Sequence, residues 1–362
     1  MWPMNCWYVA GFSNELDSGF VARTLVNQRV IIWRDGSGKA VALQDRCAHR
    51  LVPLSTGKIV DGQIECGYHG LRFNGTGACT FVPGQDTLPK SGGVKSFPIA
   101  ERHALLWFWP GAAELADESL VPDLHWMECD GWDVASGYAH FNCDYRLIND
   151  NLLDLSHETY IHKHTIGNDS VADSPVVSKV IDGCIVRAHR EMPNIDPPPF
   201  FSMLLGRDGK INRWQVAIYT PPGINMTEAG FYPVGTARSN AFVHRPMHLI
   251  TPETENTSHY FWGVARNFRL NDPEVTANMQ KSVAHTFSED KALLELQHAS
   301  LQAEGMPQIP QMAVNVDVAP VQGRRLLSAM IKREQDDPVA VHRSSPLAQD
   351  DGVTMPPAQA AE

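Results

Sequence analysis

Four side chains in two short motifs constrain this chain more than anything else in it. Cys47-Ala48-His49 is followed, across a hairpin-sized gap, by Cys66-Gly67-Tyr68-His69. Each motif couples one soft thiolate to one imidazole. Two such loops, brought face to face, offer two sulfurs to one iron and two nitrogens to another. That is the donor set of a two-iron, two-sulfide cluster with mixed ligation. A Cys2His2 zinc site is the alternative, although zinc motifs usually pair Cys with Cys and His with His within a loop. The flanking residues, His49-Arg50-Leu51-Val52-Pro53-Leu54 and Gly67-Tyr68-His69-Gly70, put Gly and Pro where tight loops must bring backbone N–H groups toward an anionic cluster.

The surrounding sequence reads as short strands and turns up to about residue 115. Arg29–Arg34 and Ala40–Gln44 flank Asp35-Gly36-Ser37-Gly38, a hairpin signal. Asn74-Gly75-Thr76-Gly77 marks a turn just past the second motif, and Ala104–Trp109 is a short buried strand that ends at Pro110-Gly111. Residues 1–115 are therefore expected to form a small all-β domain. From 116 to 336 helical stretches alternate with strand-like runs near 176–190, 211–220, 241–251 and 257–268, punctuated by Pro197-Pro198-Pro199 and Pro221-Pro222-Gly223. An α+β domain is expected there, an antiparallel sheet with helices on one side. Residues 337–362, rich in Asp, Ser, Pro, Gln and Ala, read as a disordered tail.

Bulk properties exclude several partners. A net charge of −11 argues against nucleic acid, whose binding needs clustered Lys and Arg. No apolar run reaches the length of a membrane span, and Met1–Tyr8 lacks the basic and apolar segments of a secretory leader. Two of the seven cysteines belong to the paired motifs; Cys6, Cys79, Cys129, Cys143 and Cys184 lack framework spacing and read as reduced thiols of a cytoplasmic protein.

A second metal constellation lies in Asp150–His162. His157 and His162 are candidate imidazole ligands, and two His with one carboxylate leave metal positions open for O2 and substrate. Five residues apart, they sit about 140° apart on an ideal helix. The helix is therefore expected to end or distort between them, through a π-type or non-helical turn. Asp154, three before His157, is expected to hold an imidazole N–H with its carboxylate. For the third ligand, Asn271-Asp272-Pro273-Glu274 starts a helix running to about 303, with Met279, Val283, Phe287 and Leu294 as its apolar stripe. Asp290 falls within that stripe, whereas Glu289 and Glu295 fall off it. A core-facing carboxylate is costly unless paired or metal-bound, which selects Asp290. His164 reads as an exposed turn residue.

With both motifs in this order, the chain resembles the oxygenase component of Rieske non-haem iron oxygenases. Cys143-Asp144-Tyr145-Arg146-Leu147, Asp150–Tyr160 and Phe261–Phe268 look most like vanillate O-demethylase oxygenase subunits; His248–Glu255 also resembles dicamba O-demethylase, and the toluene-sulfonate methyl monooxygenase oxygenase is a third similar group. The resemblance implies a Rieske [2Fe-2S] domain held by Cys47, His49, Cys66 and His69. It implies a helix-grip-like catalytic domain with mononuclear Fe(II) on His157, His162 and Asp290, with Asn225 and His248 contacting an aromatic acid. It further implies a homotrimer in which Asp154 bridges His157 and His69 of the partner subunit. Electrons would come from NAD(P)H through a separate FMN/ferredoxin-type reductase, as the chain has no glycine-rich nucleotide fingerprint. The expected reaction is hydroxylation of an aryl methoxy carbon with O2, giving a hemiacetal that collapses to a phenol and formaldehyde. Methyl hydroxylation of aryl sulfonates, ring dihydroxylation, and a purely electron-carrying Rieske protein are the alternatives.

Overall fold

The computed structural model describes residues 1–89, 92–199, 201–202, 209–303, 312 and 314–342. The chain divides into two compact units. The first holds residues 1–121 with 251–254 and the segment from 333; the second holds 122–250 and 255–332.

The first unit is built from three small antiparallel sheets. Strands β1 (Tyr8–Phe12), β11 (Leu105–Phe108) and β10 (Ile99–Arg102) form one; β2 (Phe20–Leu25), β3 (Gln28–Arg34), β4 (Ala40–Gln44) and β9 (Ser96–Phe97) form the next. The third comprises β5 (Lys58–Val60), β6 (Gln63–Glu65), β7 (Arg72–Phe73) and β8 (Cys79–Phe81). The β3–β4 hairpin closes with Arg34 opposite Ala40, and the Asp35 carboxylate accepts from Ser37 N–H and Lys39 N–H. Ile31, Trp33, Leu43, Leu54, Ile64 and Phe73 pack into one core cluster with Cys47 and Cys66. Of the expected tail, residues 337–342 are packed: Ala340 is buried, and Asn5 Nδ2 donates to Pro338 O and Ala340 O. Residues 343–362 of that tail lie outside the described residues.

The second unit is a seven-stranded antiparallel sheet in the order β12–β18–β17–β16–β15–β14–β13. These are β12 (Asp133–Phe141), β18 (Ser258–Arg266), β17 (Phe242–Pro252), β16 (Ile224–Pro233), β15 (Ile211–Thr220), β14 (Ile185–Ile195) and β13 (Val176–Ile181). The run near 176–190 is a hairpin that turns at Asp182-Gly183, and β12 and β16 add strands that the sequence reading did not single out. Helices α1 (Tyr145–Leu153), α2 (Glu158–Ile161), α3 (Asp169–Asp173), α4 (Pro273–Gln302) and α5 (Val318–Asp336) complete the described part. Helix α4 starts as its sequence dictates: the Asp272 carboxylate caps Val275 N–H, with Pro273 in the first turn. Its buried side chains Met279, Thr286, Phe287, Asp290, Leu294 and His298 recur at helical spacing.

Candidate metal centres and the cavity beside them

The two Cys/His motifs fold into loops of the same design. In the first, following β4, Leu51 N–H returns to Cys47 O and Cys47 N–H to Val52 O. In the second, between β6 and β7, Gly70 N–H returns to Cys66 O and Cys66 N–H to Leu71 O. The fourth residue after each Cys has a left-handed backbone, Leu51 at φ 60° and Gly70 at φ 71°. The loops approach so closely that a Cβ on Gly67 would lie 2.4 Å from Thr56 O. Both cysteines are buried, whereas His49 and His69 are exposed with ring centroids 4.7 Å apart. Burial pushes the Cys47 thiol up, and Cys66 beside it adds to the shift. Two inward sulfurs and two outward imidazoles fit a cluster with one sulfur-ligated and one nitrogen-ligated iron.

His157, His162 and Asp290 converge, with one ligand atom from each lying within 4.8 Å of the others. His157 Nε2 is 3.4 Å and His162 Nε2 3.2 Å from the same oxygen, Asp290 Oδ1. The helix breaks as required, but earlier than expected. Helix α1 ends at Leu153, Asp154 turns extended, a 3₁₀ turn spans Leu155–His157, and α2 stops at Ile161 just before His162.

That early break corrects the expected role of the Asp154 side chain within the chain. Once Asp154 leaves the helix, it no longer shares a face with His157. Its carboxylate accepts from Ser156 N–H and Oγ–H, and its backbone carbonyl lies 2.5 Å from His157 Nδ1. A carbonyl can only accept, so Nδ1 carries the hydrogen and Nε2 is left as a metal donor.

His162 is held differently, by a residue that the sequence reading set aside. Glu289 Oε2 lies 2.9 Å from His162 Nδ1. Asn151 was also missed; its Nδ2 donates to Asp290 Oδ1 at 3.3 Å. Burial alone would lower the His162 pKa, yet hydrogen bonds to Asp290 and Glu289 carry it up to about 9. Two imidazoles and a carboxylate, their outer atoms already fixed, suit a divalent metal with open positions. His164 is exposed, as expected.

Beside this triad lies a cavity of about 90 Å³. One side comes from alternate sheet residues: Arg213 and Gln215, Thr227 and Ala229, then His244, Pro246 and His248. The other comes from α4 at helical spacing: Met279, Val283, Thr286, Phe287 and Asp290. The structure brings His248 to this cavity but not Asn225. Asn225 pairs with His248 across β16 and β17, but α1 covers that end, and Asn225 Nδ2 donates to Asn149 Oδ1 at 2.7 Å. Arg245 is likewise engaged elsewhere, 2.8 Å from Glu228. His248 Nδ1 lies 2.6 Å from Tyr260 Oη, and burial holds its pKa down at about 3.

Two domain families match the chain. The Rieske [2Fe-2S] domain matches residues 6–98, and the vanillate O-demethylase oxygenase C-terminal domain matches residues 141–333. The vanillate O-demethylase oxygenase subunit of Pseudomonas sp. strain HR199 is 35% identical, over 95% of this chain and 100% of that protein. The chain belongs to the Rieske oxygenase components of the vanillate O-demethylase family. Other similar proteins are the toluene-4-sulfonate monooxygenase iron-sulfur subunit of Comamonas testosteroni, 36% identical over 92% of this chain and 98% of its own, and dicamba monooxygenase among solved structures. That enzyme bound to 3,6-dichlorosalicylic acid is 32% identical with a TM-score of 0.86, covering 92% of this chain and 98% of its own. Solved with non-heme iron and dicamba, it is 31% identical with a TM-score of 0.80 over the same shares. This Rieske oxygenase is thus an oxidoreductase of the monooxygenase class, with an all-β Rieske domain and an antiparallel-sheet catalytic domain. Among the described residues, no helix is long and apolar enough to cross a membrane.

Proposed function

We propose that this oxygenase removes a methyl group from a methoxylated aromatic acid of the vanillate type, releasing formaldehyde and a phenol. The observation that carries the reading is the cavity itself: a largely apolar chamber with His157, His162 and Asp290 in its wall. In this reading Cys47, His49, Cys66 and His69 hold the [2Fe-2S] cluster, and His157, His162 and Asp290 hold Fe(II). When bound, the cluster supplies single electrons and the mononuclear iron activates O2 for attack on the methoxy carbon.

The chain's own residues do the rest. Phe287, Val264, Pro246 and Ala229 provide apolar wall against which a ring can lie, excluding water. The neutral His248 ring meets Tyr260 Oη through Nδ1, and in the tautomer whose Nδ1 accepts there, Nε2–H is a donor for a substrate carboxylate. His157 and His162 keep their Nδ1 hydrogens on Asp154 O and Glu289, so both present Nε2 without a tautomer change. Electrons come from a separate FMN/ferredoxin-type reductase using NAD(P)H. The working form is a homotrimer in which Asp154 is the entry point from a neighbouring copy, and the lack of framework spacing among Cys6, Cys79, Cys129, Cys143 and Cys184 suits a cytoplasmic setting.

The test is a screen of methoxybenzoates with a surrogate reductase, scored by formaldehyde. Formaldehyde should appear in step with phenol for at least one acid, and Asp290→Ala should abolish it while the visible absorption of the cluster persists. A cis-diol product instead, or normal turnover by Asp290→Ala, would refute the assignment.

A further inference from the structure

His157 and His162 reach toward one point from the two ends of a very short helix. Helix α2 spans only Glu158–Ile161, a single turn, and so short a helix does not hold its shape by its own hydrogen bonds. The chain around it closes into a loop. His162 N–H donates to Glu158 O at 3.1 Å, and Gly167 N–H returns to His162 O at 3.0 Å. The closure is tight, since a Cβ on Gly167 would lie 1.9 Å from Glu158 O. Strand β15 pins this loop at both ends through one side chain. Arg213 Nη2 donates to Glu158 Oε2 at 3.0 Å, next to His157 in the chain. Arg213 Nη1 donates to Ile166 O at 3.1 Å, beyond His162. Gln215, on the same face of β15, donates through Nε2 to Glu158 Oε1 at 2.7 Å. Arg213 and Glu158 are both buried, and the guanidinium lies 4.9 Å from the centre of the Phe201 ring.

We propose that Arg213 is a positioning residue for the mononuclear metal: its two Nη groups brace the loop that carries His162 and adjoins His157, so that both imidazoles stand in place before the metal arrives. The inference rests on the reading that His157, His162 and Asp290 hold Fe(II), and it names what holds two of those ligands. A guanidinium suits the task because it is planar and presents its donors as a rigid fork. One arm takes a carboxylate at the start of the loop and the other a carbonyl at its end. Lysine would keep the charge beside Glu158 but offers a flexible point of attachment instead of a fork. The pair is buried, so removing one partner strands the other charge, whereas removing both charges together spares the fold.

The experiment uses the full-length protein with its cluster in place. Fe(II) is the probe, titrated anaerobically against a competing chelator, with cluster absorption as the internal control. Arg213→Lys, and Arg213→Met combined with Glu158→Gln, should each bind mononuclear Fe(II) about tenfold more weakly. Arg245→Lys is the stability control. Arg245 is also buried and ion-paired, 2.8 Å from Glu228, but it alternates with His244 and Pro246 and so faces away from the cavity. It should bind Fe(II) as wild type does, even where its melting point falls as far. Amide hydrogen exchange in wild type needs no variant: stripping the mononuclear iron should leave protection of His162 N–H and Gly167 N–H unchanged. Folded brace variants with wild-type iron affinity, an equal loss of iron in Arg245→Lys, or loss of that protection on stripping would overturn the brace. The exchange result decides even if neither brace variant folds. The two readings fail separately. Wild-type protein that takes up no iron beyond its cluster removes the metal site and the brace with it, whereas wild-type iron uptake with unaffected variants removes the brace alone.

Discussion

The two triad imidazoles differ in what stands behind them. His157 leans on a neutral backbone carbonyl, whereas His162 leans on the Glu289 carboxylate at 2.9 Å. A carboxylate behind an imidazole raises its basicity and fixes its ring, so Glu289 should govern how tightly the iron is held. Glu289→Ala is expected to lower mononuclear iron affinity about 10- to 100-fold, with Glu289→Gln recovering most of it because the amide oxygen still accepts. Iron per chain after dialysis against a chelator reads this, with cluster absorption as the internal control; full retention in the Ala variant would exclude the role. Asp290 was legible in the sequence because it interrupts an apolar stripe. Glu289 was not, since one step around the helix takes it about 100° away, and nothing local shows that an imidazole from residue 162 fills that direction. The Asn149 partner of Asn225 was hidden for a similar reason. Strand alternation puts Asn225 on the cavity face, but the helix that covers it is distant in sequence.

At the scale of elements, legibility follows how local the signal is. Helix α4 is marked by its Asp272 cap, Pro273 and a sustained period, and the β3–β4 hairpin by Asp-Gly-Ser-Gly, so both were readable. Strand β12 was not. It contains Gly137, whose place is set by tertiary packing, because a Cβ there would lie 2.3 Å from the Trp262 ring. The break at Asp154 was readable in kind, as two ligands five apart require it, but its position depends on a side chain that folds back onto Ser156. The paired cluster loops give a sharper expectation. Gly67→Ala must push the second loop off Thr56 O, a backbone atom that cannot rotate away. Overpacking of this kind costs about 1–3 kcal/mol, spent here on the distance between the two ligand pairs. The variant should incorporate several-fold less cluster, by visible absorption per chain, while mononuclear iron content stays at the wild-type level. Equal cluster content would mean that the loop contact does not set the spacing.

For the whole molecule, the buried cavity histidines link the chemistry of the site to stability. His244 is held at about 3, chiefly by burial and then by the Arg213 charge. His248 is held at about 3 by burial, partly offset by Asp290. Both folded values lie below the ordinary histidine value of about 6.5. The unfolded chain therefore takes up protons that the folded chain refuses. The contribution is fully present above about pH 6.5 and is lost as pH falls from there toward 3. Between pH 7 and 5.5 each such histidine should remove about 1 kcal/mol of stability. Over the same interval neither changes charge in the folded state, so the polarity of the cavity is constant. Urea unfolding of wild type and His244→Gln at these two pH values separates this effect from that of surface carboxylates, which both proteins share. The variant should lose about 1 kcal/mol less on acidification. Parallel losses would show that His244 is charged in the folded cavity, and an imidazolium there would leave Arg213 facing a second cation instead of a neutral ring.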